Sequence, residues 1–174
     1  MRALGPGSVS SFLKIILDVV YAALWISLGV LALCLLAAVL FSFNPDLLPP
    51  TMTIDGIDPA GRGPMFAVML LAYGLSVAGV LVTVDALRRI FTTLTAGDPF
   101  HPANVRRLRL IGLMLGALEL CRYLIWWLGP IMGWIKDEKT NFSLTPWFSV
   151  FVVFVLAEVF REGARLRREA ELTI

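Results

Sequence analysis

Histidine, cysteine and charge are all scarce in this sequence. One histidine, His101, and two cysteines, Cys34 and Cys121, occur among 174 residues, and 16% of the residues are charged, against about a quarter in soluble domains. The sequence has no histidine pair, Cys/His couple or metal-spaced carboxylate set, so we predict neither an enzyme nor a metal or cofactor site. Both cysteines lie in apolar runs at different depths, which favours packing residues over a disulfide.

Hydrophobic residues, in contrast, make up 58% of the chain, with a mean hydropathy of +0.81. About 20 apolar residues suffice to cross a bilayer as a helix, and a signal-peptide core has only about 7–15, so the first apolar run is expected to be a retained span. Residues 1–174 are predicted to form one all-α membrane domain, an antiparallel bundle of four transmembrane helices. The predicted spans are about 12–43, 65–90, 108–135 and 146–161.

Positive charge is concentrated in alternate connections. Eleven of the 15 Lys and Arg residues lie in the N-terminal end, the connection between the second and third spans, and the C-terminal tail. The positive-inside rule therefore predicts that both termini, the connection 91–107 and a helical tail 162–174 are cytoplasmic.

Polar residues within or at the ends of the spans have two interpretations. Glu119 and Arg122 are three residues apart on one helix face, so they either pair and fix the packing register or form a ligand, ion or proton site. Carboxylates at the cytoplasmic ends of the other spans either bind a cation or basic partner, or pair with nearby Lys14, Arg88, Arg89 and Arg161. The intramembrane polar set is Asp18, Asp85, Glu119 and Arg122, and Glu158 is the third end carboxylate.

The connection between the second and third spans contains a turn signal, Ala96-Gly97-Asp98-Pro99, followed by Pro102 at an expected helix start. His101 is interpreted as a helix-start residue and not as a metal ligand, because the sequence has no second histidine. The arginines here are expected to contact phospholipid headgroups. These membrane-surface residues are Arg88, Arg89, Arg106, Arg107 and Arg109.

Two blocks of sequence resemble a known family. AGDPF at 96–100 with NVRRLRLIG at 104–112, and AEVFREG at 157–163 with Leu166 and ELTI at 171–174, resemble a bacterial family of four-helix inner-membrane proteins catalogued as a domain of unknown function. Its members are often encoded beside a small Cro/C1-type helix-turn-helix regulator. In that family the position of His101 often carries Ser or Thr, which are stronger helix caps.

The resemblance implies a protein of the bacterial inner membrane that binds and inhibits its cognate cytoplasmic regulator, without contacting nucleic acid itself. A basic DNA-reading surface repels arginine, so we expect acidic residues of the turn and tail to meet it. The predicted partner-binding residues are Asp98, Pro99, Phe100, Asn104, Glu158, Arg161, Glu162, Arg165, Leu166, Glu169, Leu172, Thr173 and Ile174.

Two further expectations concern the spans. The alternative function is a small-molecule or ion transporter that uses Glu119 and Arg122. Small residues in the second span, Gly74, Ser76, Ala78 and Gly79, are expected to let a neighbouring helix approach closely, either within the chain or in a homo-oligomer.

Overall fold

A computed structural model describes residues 9–44, 63–131 and 142–172. These ranges contain four α-helices and no strand, which confirms the all-α prediction. The helices are α1 (Val9–Phe43), α2 (Gly63–Thr95), α3 (Pro102–Ile131) and α4 (Leu144–Glu171).

Three of the helices are long and apolar enough to cross a membrane. The qualifying segments are Phe12–Phe43, Pro64–Thr95 and Leu144–Ala170, and the first has the same bounds as the predicted first span. Many large apolar side chains of these helices are exposed. Soluble proteins rarely expose an apolar surface of this extent, so the helices indicate a membrane protein. Among the described helices α3 is not one of these three, and it carries Arg106, Arg107 and Arg109 near its start and Glu119 and Arg122 farther along.

The connection between α2 and α3 is shorter than the predicted 91–107, because α2 continues to Thr95 and α3 begins at Pro102. We call residues Ala96–His101 the α2–α3 turn. Gly97 has φ 83°, and the N–H groups of Gly97 and Asp98 donate to the carbonyls of Leu94 and Thr93 at 3.1 and 3.0 Å. This left-handed glycine ends the helix by the Schellman pattern. Pro102 is the first helical residue, as predicted.

The last helix also begins and continues as the sequence predicts. α4 starts at Leu144, which puts Pro146 in its first turn, and runs to Glu171. The predicted tail is therefore a continuation of the last apolar helix. Residues 132–135 of the predicted third span, and Thr173 and Ile174, lie outside the described residues.

Each helix packs only against its neighbours in sequence. α1 contacts α2, α2 contacts α3 and α3 contacts α4, and within the described ranges no other pair of helices meets. Asp18 near the start of α1 meets Arg88 near the end of α2, and Thr93 near the end of α2 bonds to Asn104 near the start of α3. Arg109 lies beside Glu158, whereas Gly112, farther along α3, meets Phe154, which is earlier in α4. Neighbouring helices are therefore antiparallel, as predicted. The described helices form an open row, in which α1 and α4 do not pack against each other as they would in a closed bundle. Apolar helix faces gain nothing from closure when lipid covers them equally well.

The buried core of this row lies between α2 and α3, close to the α2–α3 turn. Ala86, Ile90 and Ile111 are 3%, 6% and 4% exposed and form one cluster. The half-buried residues packed around it are Leu87, Leu94, Leu108, Leu115 and Val153. This buried cluster therefore supports the turn.

Farther along the same interface, Gly79 allows α2 and α3 to approach closely. A Cβ at this position would lie 2.8 Å from Cδ2 of Leu118, whereas a Cβ at Gly74 would meet nothing within 4 Å. The expected close helix approach is confirmed at Gly79. Gly74 takes no part in it.

We predict that Gly79→Leu destabilises the protein by about 1–3 kcal/mol, because the new side chain overpacks against Leu118. Gly74→Leu is the matched control, since it makes the same chemical change in the same helix where space is open. The measurement is thermal unfolding of each variant in detergent. An equal or smaller loss at position 79 than at position 74 would contradict the packing of α2 on α3.

Candidate functional site

His101 caps the N-terminus of α3. Its carbonyl accepts a hydrogen bond from the N–H of Asn104 at 2.8 Å, and its Nδ1 accepts one from the N–H of Ala103 at 3.2 Å. The ring nitrogen thus takes the place that a Ser or Thr oxygen usually occupies at a helix start. The interpretation of His101 as a helix-start residue is confirmed.

Asn104 is the centre of the hydrogen bonds that hold the turn. Its side chain is fully buried, and its Nδ2 donates to Thr93 Oγ1 at 2.7 Å and to the carbonyl of Pro99 at 3.0 Å. Its Oδ1 accepts from Nη1 of Arg107 at 2.9 Å. One amide therefore joins the end of α2, the turn and the start of α3. Asn104 is therefore buried within the chain, and the carbonyl of Pro99 is one of its partners.

Phe100 extends from the turn across to α4. A Cβ at Gly163 would lie 2.6 Å from two atoms of the Phe100 ring, and the Phe100 and Phe160 ring centroids are 5.7 Å apart. Only a glycine leaves room for the ring at this separation, which explains a glycine in the middle of a helix, where it lowers stability.

An ion pair closes the same contact. Nη1 of Arg167 donates to Oδ1 of Asp98 at 2.5 Å, and both side chains are partly exposed. We call the set Asp98, Phe100, Phe160, Gly163 and Arg167 the turn–tail junction. It joins the two parts of the sequence that carry the family resemblance, and its ion pair links residues that are 69 positions apart in the chain.

The opposite side of the α4 tail is exposed. Leu166 and Leu172 are 55% and 87% exposed. Arg165 pairs with Glu162 at 2.7 Å and with Glu169 at 3.4 Å. We call these five residues the tail face. They recur every three or four positions, which places them on one side of the helix, away from Phe160, Gly163 and Arg167.

The predicted membrane-surface arginines pair with the carboxylates at the helix ends. Arg88 Nε donates to Asp18 at 2.6 Å, and the Arg88 guanidinium lies 4.1 Å from the centroid of the Tyr21 ring. Arg89 Nε donates to Asp85 at 2.7 Å. Glu158 pairs with Arg161 and lies 3.9 Å from Arg109. Of the two interpretations of these carboxylates, the pairing is confirmed.

The other two arginines of the set differ in exposure. Arg106 is exposed. Arg107 points inward, since its Nη1 also donates to the carbonyl of Arg89 at 2.9 Å.

Glu119 and Arg122 form a pair with two hydrogen bonds. Arg122 Nε donates to Glu119 Oε2 at 3.0 Å, and Nη2 donates to Oε1 at 2.5 Å. Glu119 is 7% exposed, whereas half of the Arg122 side chain remains accessible. A groove of about 570 Å³ passes beside the pair, between α2 and α4.

Sequence reasoning placed both blocks on one side of the membrane but missed that they touch. Thr93 and Arg167 were not among its site residues. A usable signal was Gly163, because a glycine inside an otherwise strong helical sequence marks a close approach.

The protein family described as "Protein of unknown function (DUF2975)" matches residues 20–174, so the chain belongs to this family. No curated protein and no solved structure shows significant similarity to the chain.

We predict that Asn104→Ala destabilises the protein by about 1–3 kcal/mol, because Thr93, Arg107 and the carbonyl of Pro99 each lose a partly buried hydrogen bond. The control is Thr95→Val, which removes an exposed hydroxyl that bonds only within its own helix and is expected to change stability little. Unfolding of both purified variants by heat measures the difference. Equal stability of the two variants would show that Asn104 does not hold the turn.

Proposed function

We propose that this member of the family crosses the bacterial inner membrane four times with both termini in the cytoplasm. We further propose that it binds a cytoplasmic helix-turn-helix regulator through the tail face and holds it away from DNA. The observation that carries the proposal is the charged C-terminal part of α4, which has one side fixed to the turn and the other side exposed.

The position of α3 supports the fourth crossing. Its 30 residues give about 45 Å of helix, more than the roughly 30 Å of a bilayer core. It lies between α2 and α4, with Asn104 at the α2 end near the turn and Leu118 beside Gly79 farther along. A helix packed along two membrane-spanning neighbours crosses with them. The pairing of Glu119 with Arg122 reduces the cost of charge in this span.

The distribution of charge supports the orientation. Because neighbouring helices are antiparallel, four segments lie at the same end of the row. They are the start of α1 and the end of α2, which meet at Asp18 and Arg88, together with the start of α3 and the tail of α4. That end carries most of the arginines, so the positive-inside rule directs it to the cytoplasm. A cytoplasmic regulator meets this end.

The tail face has the features of a partner-binding helix. Leu166 and Leu172 provide exposed apolar anchors, and Glu162 and Glu169 provide negative charge that suits a basic DNA-binding surface. The turn–tail junction holds the opposite side of the helix, so the tail is ordered before a partner binds and binding costs less entropy.

Inhibition by this arrangement requires no catalysis. A regulator bound at the membrane is withdrawn from DNA by mass action, to an extent set by its affinity for the tail face and by the number of membrane copies. Specific DNA binding typically corresponds to a Kd of about 10⁻⁸–10⁻¹¹ M, so effective inhibition needs either comparable affinity or a tail face that covers the DNA-reading surface.

We predict that Leu166→Glu combined with Leu172→Glu lowers binding of the regulator from the neighbouring gene by about tenfold or more, because both apolar anchors become charged. The control is Thr92→Glu, an exposed substitution at the same end of the row but outside the tail face. Pull-down of the regulator by each detergent-solubilised variant measures binding. Truncation after Phe160 is less selective, since it also removes Gly163 and Arg167 from the junction.

Charge reversal separates the two contributions. Glu162→Lys with Glu169→Lys is expected to weaken binding in a salt-dependent way if the partner surface is basic. Unchanged binding by both the leucine and the glutamate variants would contradict the tail face as the binding site.

A further inference from the structure

The groove beside Glu119 and Arg122 has the size and shape of a ligand site. It measures about 570 Å³, within the roughly 300–1,000 Å³ typical of small-molecule pockets. Tyr73 and Ser76 of α2 line one wall and Ser149 of α4 lines the other, while α3 forms the floor with Leu118 and the ion pair. The helices α2 and α4 do not pack against each other, so the groove between them is open.

Arg122 brings hydrogen-bond donors to this groove. A guanidinium has five N–H donors in a fixed fork, and the bonds to Glu119 use one at Nε and one at Nη2. Half of the side chain is accessible, Arg122 is one of the residues that line the groove, and its guanidinium lies 4.9 Å from the centroid of the Tyr123 ring. Acyl chains alone fill the space but leave these donors without acceptors, which is unfavourable in an apolar medium.

The charge of the pair decides which acceptor fits. Glu119 and Arg122 together are neutral, so an anionic head group adds a net charge at membrane depth, where charge is costly. An uncharged oxygen acceptor satisfies the arginine and leaves the site neutral. The serine hydroxyls add only acceptor capacity, because Ser76 donates to the carbonyl of Ala72 at 3.0 Å and Ser149 to that of Thr145 at 3.1 Å.

We propose that this groove binds an uncharged, membrane-soluble molecule whose carbonyl oxygens accept from Arg122 and whose apolar tail lies between α2 and α4. Two sources offer this chemistry, the ester carbonyls of an uncharged glycerolipid and the ring carbonyls of an isoprenoid quinone. The site is separate from the tail face, and its test does not depend on regulator binding.

The test is native mass spectrometry of the full chain released from detergent, titrated with decylubiquinone, with dioleoylglycerol and with oleyl sulfate. Two variants address the site. Glu119→Leu with Arg122→Met removes the pair without leaving a lone charge, and Ser149→Phe fills the groove with the pair intact. The matched control, Asp85→Leu with Arg89→Met, removes another ion pair within a single helix.

We expect one saturable site for decylubiquinone or dioleoylglycerol, and the probe that binds identifies the source. Both site variants are expected to bind that probe about tenfold more weakly than the parent, the control variant is expected to match the parent, and oleyl sulfate is expected to bind about tenfold more weakly than the neutral probe. Saturable binding of neither neutral probe, equal binding by the site variants, or preferred binding of oleyl sulfate would overturn the proposal.

Discussion

The described structure depends on one buried amide. The side chain of Asn104 forms hydrogen bonds with Thr93, with the carbonyl of Pro99 and with Arg107. These bonds fix how α2 ends and how α3 begins. Loss of one member of a buried polar network lowers stability strongly, because each polar group that loses its hydrogen-bond partner remains desolvated. Because the turn is fixed, Phe100 stands at a defined place and Gly163 of α4 packs beneath it. The position of the tail therefore follows from the amide about 60 residues earlier.

The open row of helices is the second organising feature. In water, four amphipathic helices pack around a common core to bury their apolar faces. In lipid, acyl chains cover the apolar faces of α1 and α4 whether or not these helices meet. Three glycines mark particularly close contacts between the described helices: Gly79 beside Leu118, Gly112 beside Phe154, and Gly163 at the junction. An open row also leaves a groove on the side of α3, which a closed bundle would fill with side chains. The groove is thus a consequence of the open row.

Local features of the fold were predictable from sequence. Composition and run length predict the apolar helices, Gly97 and Pro102 mark the end of α2 and the start of α3, and the spacing of Glu119 and Arg122 predicts their pairing. Contacts between distant segments were not predictable. Neither the burial of Asn104 nor the contact of the turn with the tail has a signature in periodicity, because both depend on how α3 and α4 pack. The open arrangement of the helices was not predictable either, because in lipid the apolar faces of α1 and α4 do not need to meet in order to be covered.

The account rests on α3 crossing the membrane so that the turn and the tail face the cytoplasm. Cysteine labelling tests this most directly. After replacement of Cys34 and Cys121 by alanine, single cysteines are placed at Ala96, Phe142 and Glu169, all of which are exposed, and treated with a membrane-impermeant maleimide. The account predicts that Ala96→Cys and Glu169→Cys react in inverted vesicles and not in spheroplasts, and that Phe142→Cys does the reverse. Reaction of positions 96 and 142 from the same side would contradict it.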